Sequence, residues 1–167
     1  MAEVVTYRDA WRGEFERLNR EWIETWFVLE EADLATFRDP VAKIITPGGQ
    51  IFFVVDAGEV LGTCAVIAHR PEMHEIAKMA VAPEARGKGY GDLLMEAAVE
   101  FSRQAGARRM IIVSNTKLAP AIRLYEKHGF VRIPLEAHEH YARADIRMER
   151  DLAPTPRRAK APVRPPG

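Results

Sequence analysis

The chain has 167 residues, 47% of them hydrophobic, a length that corresponds to one domain of roughly 150 residues. Its 24 basic and 24 acidic side chains cancel, which excludes a strongly basic nucleic-acid-binding protein and an acidic disordered chain. The single cysteine, Cys64, excludes an internal disulfide and a cysteine-rich metal site. No apolar run approaches the ~18 residues of a transmembrane helix. With no recognisable signal peptide either, a soluble cytoplasmic protein is expected.

The elements follow one another in the order strand, two helices, three strands, helix, strand, helix, two strands, as judged from hydrophobic periodicity and turn residues. The predicted strands are Glu3–Tyr7, Ile51–Val55, Val60–Ala68, Met73–Val81, Arg109–Val113, Phe130–Ile133 and Asp145–Met148. The predicted helices are Ala10–Phe27, a short one capped by Asp33 and ending near Pro40, Tyr90–Gln104, and one from Pro120 to Gly129. This order predicts a single mixed α/β domain.

The charges are distributed unevenly. Residues 153–167 hold five prolines and four basic side chains with no acid, so this tail carries +4 and residues 1–152 carry −4. The tail has almost nothing to bury, and its composition predicts a disordered, partly polyproline-like extension. The sequence therefore predicts a folded domain over residues 1–152 and a basic, proline-rich tail over residues 153–167.

A glycine-rich turn joins the predicted strand Met73–Val81 to the helix that follows it. Three glycines, Gly87, Gly89 and Gly91, alternate there, where side chains would block a close approach to the backbone. Backbone N–H groups in such a turn can point at one anion, and the helix N-terminus adds partial positive charge. With the cations of Arg86 and Lys88, a pyrophosphate is the expected ligand; the alternative is a flexible helix entry without a ligand.

Two nucleotide-binding motifs fail on spacing. The dinucleotide fingerprint requires Gly-x-Gly-x-x-Gly, whereas Gly87, Gly89 and Gly91 are separated by single residues. The Walker loop requires Gly-Lys-Ser/Thr, whereas Lys88 is followed by glycine.

Two segments instead resemble the GNAT family of N-acetyltransferases. The stretch Met79–Gly91 is similar to the family's acetyl-CoA-binding motif, Arg/Gln-x-x-Gly-x-Gly/Ala, through Arg86, Gly89 and Gly91. Asn115 and the stretch 121–130, AIRLYEKHGF, are similar to the family's second segment, Asn...Ala-x-x-Leu-Tyr-x-x-x-Gly-Phe. The two matches come in the family's order, and the resemblance covers about residues 4–152.

The resemblance implies a GNAT-like acyl-CoA N-acyltransferase fold: a mixed, mostly antiparallel sheet of about 6–7 strands flanked by about four helices. It implies that the acetyl group of acetyl-CoA passes to a primary amine of a small molecule or peptide by direct attack, without a metal. The cofactor-binding residues implied are Met79, Ala80, Val81, Arg86, Gly87, Lys88, Gly89, Tyr90, Gly91, Asn115 and Tyr125.

Two catalytic roles follow from the same resemblance. Tyr125 matches the family tyrosine near the thioester sulfur, where a proton donor helps a thiolate to leave; the alternative is an aromatic residue of an apolar helix face. Glu75 is the candidate base, acting directly or through water, because an alkyl amine is mostly protonated at neutral pH. The alternative for Glu75 is a solvated charge at a strand edge.

The acceptor is not readable from the sequence. Related folds suggest Tyr141, Arg143 and one of the tryptophans Trp11, Trp22 and Trp26 as neighbours of the acceptor. A non-catalytic acetyl-CoA sensor remains the alternative function, and a homodimer stays open. No membrane partner is expected, and nucleic acid is expected at most at the basic tail.

The pair His138 and His140 is interpreted as a polar loop, because two histidines alone rarely bind a metal.

Overall fold

The computed structural model describes residues 1–133, 135 and 142–153. The predicted tail after residue 153 and the pair His138 and His140 lie outside the described residues, as does Tyr141. The boundary of the domain near residue 152 therefore stays a prediction.

Seven strands form one mixed sheet, as predicted. They are β1 (Glu3–Thr6), β2 (Gln50–Asp56), β3 (Glu59–Arg70), β4 (Met73–Val81), β5 (Arg109–Ser114), β6 (Val131–Ile133) and β7 (Ile146–Asp151). Their order across the sheet is β1-β2-β3-β4-β5-β7-β6. The β4–β5 pair is parallel, and the other described neighbours are antiparallel.

Four α-helices complete the predicted order of elements. They are α1 (Arg12–Trp26), α2 (Glu31–Arg38), α3 (Tyr90–Gln104) and α4 (Ala119–Lys127). Short 3-10 turns at Asp9–Trp11 and Pro83–Ala85 precede α1 and α3, and a π-helical turn at Val41–Ile45 follows α2. The predicted boundaries hold to within about two residues at most helix ends, which is the usual uncertainty of helix termini.

The predicted capping role of Asp33 is wrong. The N-cap of α2 is Glu30, and Asp33 occupies the third helical position of a reciprocal capping box. Its carboxylate accepts a hydrogen bond from the Glu30 amide at 2.9 Å, while the Glu30 side chain accepts one from the Asp33 backbone. A capping box satisfies two otherwise unpaired amides, and α2 therefore begins three residues earlier than a cap at Asp33 would place it.

The helices cover both faces of the sheet. Adjacent residues of β2 show the division: Phe52 lies 5.8 Å from Phe101 of α3, whereas Phe53 lies 5.4 Å from Trp11 just before α1. Cys64 of β3 faces α3 and is fully buried, and this burial raises the pKa of its thiol to about 12. The cysteine is therefore an inert core residue.

The parallel pair β4–β5 is short and then opens. Only three residue pairs join the two strands, and the last of them is Glu75 with Ile111. Beyond that point β4 keeps its partner β3 and β5 keeps its partner β7, so the two strands diverge. The sheet is thereby split along its middle toward the C-terminal end of β4.

Within the described residues, no helix is both long and apolar enough to cross a membrane.

Candidate active site

A cleft with a volume of about 620 Å³ occupies the gap between β4 and β5. The turn before α3, helix α4 and three aromatic residues at the end of α1 line this cleft, and the aromatic residues are Trp22, Trp26 and Phe27. Eleven of the twelve predicted site residues line it, and they are Glu75, Met79, Ala80, Val81, Arg86, Gly87, Gly89, Tyr90, Gly91, Asn115 and Tyr125. The structure thus brings together residues that are up to fifty positions apart in the chain.

The three glycines of the turn serve different purposes. Gly87 and Gly89 have φ values of +82° and +81°, in the left-handed region that other residues avoid, and space is open where a Cβ would project. Gly91 differs from them, because a Cβ there would lie 2.9 Å from the end of the Leu124 side chain on α4, which would have to shift. The first two glycines keep the backbone accessible at the start of α3, and the third allows α3 and α4 to approach.

Gly89 is the N-cap of α3 and offers no side chain to the first amides of the helix. These amides remain available to an anion in the cleft, and the helix dipole favours negative charge at this end. The turn therefore has the features of a phosphate site.

The two cations of the turn are placed differently. Arg86 lines the cleft and forms an exposed ion pair with Glu21 of α1 at 3.3 Å. Such exposed pairs contribute little stability, so a phosphate can replace Glu21 at low cost. Lys88 does not line the cleft; its charge acts on Asp56, whose pKa is lowered first by a hydrogen bond from Tyr90 at 2.6 Å. The bond between Tyr90 and Asp56 ties the start of α3 to β2.

Strand β4 carries a bulge beside the cleft. Ala77 pairs with Ala65 and Ala80 with Thr63, so three steps along β4 oppose two along β3. Lys78, within the bulge, has a φ of 53°. Successive side chains of a strand alternate between the two faces of the sheet, but the change of register interrupts this alternation. Glu75 and Met79, on either side of the bulge, are therefore not placed on one face by simple alternation.

A buried carboxylate holds the bulge. Lys78 donates a hydrogen bond to Asp33 of α2 at 2.5 Å, and Arg143 donates two to the same carboxylate, at 2.7 and 2.8 Å. Asp33 has no exposed surface. Burial alone would raise its pKa, but the hydrogen bonds from Arg143 and the charge of Lys78 outweigh burial and lower it to about 2.

Arg143 extends this network to the loop before β7. Its guanidinium also contacts Glu30 at 3.2 Å and lies 5.8 Å from the ring of Trp22. Its carbonyl accepts a hydrogen bond from the side chain of Asn115 at 2.6 Å. Arg143, suggested as an acceptor contact, does line the cleft, and it also fixes the cleft wall.

Asn115 has both side-chain polar groups engaged within the protein. Besides donating to Arg143, its carbonyl oxygen accepts a hydrogen bond from the backbone of Lys117 at 2.8 Å. The residue therefore orders the turn between β5 and α4. Its direct contact with a cofactor arm stays a prediction.

Tyr125 and Glu75 lie in contrasting surroundings. Tyr125 is 7% exposed on α4, and burial raises the pKa of its hydroxyl to about 12, with a further contribution from Cys64. The Glu75 side chain is 13% exposed, and one of its carboxylate oxygens lies 2.6 Å from Nε2 of His69. Tyr125 is thus both a core aromatic residue and a cleft residue, and Glu75 is paired rather than freely solvated.

Three residues of this region escaped the sequence prediction: Asp33 as a buried anion, Lys78 as its partner, and His69. Each acts through a partner distant in the chain or on a neighbouring strand. Of the tryptophan stripe, Trp22 and Trp26 line the cleft, while Trp11 packs on Phe53. Among the described residues, no group of three or more metal-ligating side chains occurs.

Comparison with known proteins agrees with this geometry. The model of the acetyltransferase (GNAT) family matches residues 7–130. Mycothiol acetyltransferase of Corynebacterium glutamicum (strain R) is 35% identical over 80 residues, 48% of this chain and 27% of that protein. Aminoalkylphosphonate N-acetyltransferase of Salmonella typhimurium is 31% identical over 106 residues, 60% of this chain and 69% of that protein. The chain spans little more than a quarter of the mycothiol enzyme's length.

The fold is also found among solved structures. Phosphinothricin acetyltransferase from Sinorhizobium meliloti, solved in complex with AcCoA, superposes with a TM-score of 0.73. The sequences are 23% identical, and the match covers 98% of this chain and 96% of that one.

Asp33→Asn should destabilise the protein by about 3–5 kcal/mol at pH 7, because the buried Lys78 and the partly buried Arg143 lose their anion. The folded-state pKa of Asp33, about 2, lies below the usual 3.8. Its stabilisation is therefore present above pH 3.8 and is lost as the pH falls toward 2. Urea unfolding at pH 7, 5 and 3 should show the difference between variant and wild type narrowing at the lowest pH.

Glu31→Gln is the matched control for Asp33→Asn. Glu31 pairs with Arg38 within the same helix, but both side chains are exposed, at 75% and 66%. Its loss should change the free energy of unfolding by less than about 0.5 kcal/mol. Equal effects of the two substitutions would contradict the assignment of Asp33 as the anion on which this region depends.

Proposed function

Because the chain belongs to the GNAT family of acetyltransferases, we propose that it transfers the acetyl group of acetyl-CoA to a primary amine of a small molecule or peptide. The observation that carries this proposal is the split between β4 and β5. It opens a cleft that has an anion site at one end and both a buried hydroxyl and a paired carboxylate along its walls. No second function is supported by an observation of this strength.

The residues present fit acetyl-CoA. The open turn at Gly87 and Gly89 and the first amides of α3 suit a diphosphate, and Arg86 adds a full charge. Beyond Glu75, the cleft-facing edge of β4 no longer pairs with β5. Backbone groups of Met79, Ala80 and Val81 are therefore available for an extended amide-bearing arm.

Acetyl-CoA, when bound, supplies a thioester carbonyl for attack and a thiolate as the leaving group. A backbone amide near Met79 would polarise that carbonyl, as donors in an oxyanion site do. Glu75, directly or through one water molecule, would take a proton from the ammonium form of the acceptor and so release the nucleophilic amine. Tyr125 would donate a proton to the departing sulfur.

The pKa of Tyr125 suits this role. At about 12, it keeps the hydroxyl protonated at every pH at which the enzyme would be assayed. A departing CoA thiolate, by analogy with a cysteine thiol of pKa about 8.5, is less basic than the Tyr125 tyrosinate. Transfer of the proton to a free thiolate would therefore be uphill, so the hydroxyl would assist departure through a hydrogen bond to the sulfur, and the proton would move onto the sulfur as another proton restores Tyr125.

The relatives favour a small amine as acceptor. Mycothiol and aminoalkylphosphonate appear in the names of two of them. The acidic side chains of α1 do not suggest a cationic acceptor, because Glu14, Glu16, Glu21 and Glu24 pair with arginines. At the acceptor end, the cleft has an aromatic wall formed by Trp22, Trp26 and Phe27.

Incubation with acetyl-CoA and a panel of amines should release CoA thiol with at least one acceptor. The panel should contain aminoalkylphosphonates, amino acids, amino-sugar derivatives, polyamines and peptides. The measurement is thiol release, with acetylated product confirmed by mass spectrometry. Tight CoA binding with no thiol release from any acceptor would favour the acetyl-CoA sensor over the enzyme.

Gly89→Glu should weaken CoA binding about 100-fold or more, equivalent to about 2.7 kcal/mol, because it places an anion at the phosphate site. Isothermal titration calorimetry measures the affinity. Gly106→Glu is the control: Gly106 also has a positive φ, +88°, with open space around it, but lies beyond the other end of α3. Wild-type affinity in Gly89→Glu would refute the phosphate site.

Tyr125→Phe should lower kcat by about 10²–10⁴-fold, because it removes the proton donor. The affinity for acetyl-CoA should stay close to that of the wild type, because Phe preserves the packing. Tyr7→Phe is the control, since Tyr7 packs near Phe53, away from the cleft. Unchanged turnover in Tyr125→Phe at every pH would exclude the hydroxyl as the acid.

A further inference from the structure

His69 and Glu75 form a pair that reaches from the cleft to the protein surface. Nε2 of His69 lies 2.6 Å from Oε1 of Glu75. Glu75 lines the cleft and its side chain is 13% exposed, whereas His69 does not line the cleft and its side chain is 36% exposed. The carboxylate therefore has one neighbour on the reaction side and another on the solvent side.

The sheet enforces this pairing. Glu75 of β4 lies directly opposite Ile67 of β3, and His69 follows Ile67 by two residues. The register changes between Ala68 and Arg70, so His69 is the extra residue of a bulge at this end of β3. Because bulges redirect side chains, this one accounts for an imidazole turned onto a carboxylate that lies diagonally across the hairpin.

We propose that His69 accepts the proton that Glu75 removes from the acceptor amine and releases it to solvent. The inference rests on the proposed function. The amine's N–H bond breaks, and the proton joins the Glu75 carboxylate. It then passes to Nε2 of a neutral His69 that carries its own proton on Nδ1. Water removes the proton from Nδ1, and proton exchange with solvent returns the neutral ring to its Nδ1–H form before the next turnover.

Further steps of the cycle balance the overall equation. An ammonium acceptor loses two protons in becoming an amide, and the departing sulfur regains one from Tyr125. One proton must therefore leave the site in each turnover, after the Tyr125 hydroxyl has been restored. His69 gives that proton an exit that does not cross the bound substrates.

The charges around His69 set its titration. The hydrogen bond that His69 donates to Glu75 raises the pKa of His69 above 6.5; burial and the cations Arg147 of β7 and Arg70 of β3 oppose the rise. Glu149 pairs with Arg147 and weakens its effect. His74, the other nearby titratable group, is buried against Ser102, and burial lowers its pKa.

The sign of the pH dependence follows from the relay. His69 must be neutral to accept a proton, so kcat/KM should rise as the pH increases through its raised pKa. Below that pKa the imidazolium forms an ion pair with Glu75 and has no free nitrogen to accept a proton. His69 acts only through Glu75, which would itself touch the acceptor or its water.

His69→Gln tests the relay, because glutamine keeps a polar side chain without a titratable proton. At low buffer concentration, kcat should fall roughly 10-fold, less than the ~10²-fold expected for Glu75→Gln. The rising limb of the pH profile assigned to His69 should disappear. Added imidazole should restore turnover, which no purely structural defect would allow, and the affinity for acetyl-CoA should not change.

A control variant and an NMR titration distinguish the relay from a structural effect of the His69 substitution. His128→Gln is the matched control, because His128 also pairs with a carboxylate, Asp92 at 2.7 Å, but lies away from Glu75. In NMR titrations of the wild type and Glu75→Gln, the pKa of the His69 ring should fall when the carboxylate is removed.

The outcomes are distinct. A wild type that acetylates an amine and is matched by His69→Gln at all buffer concentrations contradicts the relay alone. An unchanged His69 pKa in Glu75→Gln also contradicts it. A wild type that acetylates no amine contradicts the proposed function, and the relay with it.

Discussion

A single carboxylate with no exposed surface, that of Asp33, sets the geometry on one side of the cleft. A buried anion is tolerated only when cations and hydrogen bonds surround it, and here Lys78 and Arg143 supply both. These three residues belong to α2, to the bulge of β4 and to the loop before β7. None of these elements can shift alone without leaving a buried charge uncompensated, so their positions are mutually fixed.

The ion pairs of Asp33 affect the cleft through two backbone features, the bulge of β4 and the turn before α4. Lys78 adopts its φ of 53° within the bulge next to the β4 residues expected to bind the acetyl donor. Arg143 offers its carbonyl to Asn115, which orders the turn leading into α4 and so to Tyr125. A bulge and a loop are usually the adaptable parts of a sheet protein. In this protein, the ion pairs with Asp33 hold the bulge and the loop in place. Such rigidity suits a site whose hydrogen-bond donors must have fixed positions.

Local patterns predicted the fold because they depend on neighbours in sequence. Alternation and helical periodicity placed all seven strands and four helices, and the glycine turn before α3 was identified by its own spacing. The features that the sequence did not predict depend on partners that are distant in the chain. In the sequence, Asp33 resembles an ordinary N-cap. Its buried role depends on hydrogen bonds from Lys78, 45 residues away, and from Arg143, 110 residues away. Gly91 resembles the other glycines of the phosphate turn in the sequence, although its close neighbour is the side chain of Leu124 on α4.

The split sheet would also let the proposed acid, Tyr125, and the proposed base, Glu75, act on one substrate from opposite faces of the sheet. Glu75 shares a face of the sheet with Ile67, its partner on β3, whereas Tyr125 lies near Cys64, whose side chain points to the opposite face. In an unbroken sheet, the two groups would be separated by the strands themselves. Where β4 and β5 part, both faces open into one cleft. Burial keeps the Tyr125 hydroxyl protonated until the sulfur departs, and under the proposed relay Glu75 would pass a proton to the partly exposed His69, so protons would enter and leave the reaction from opposite sides of the sheet.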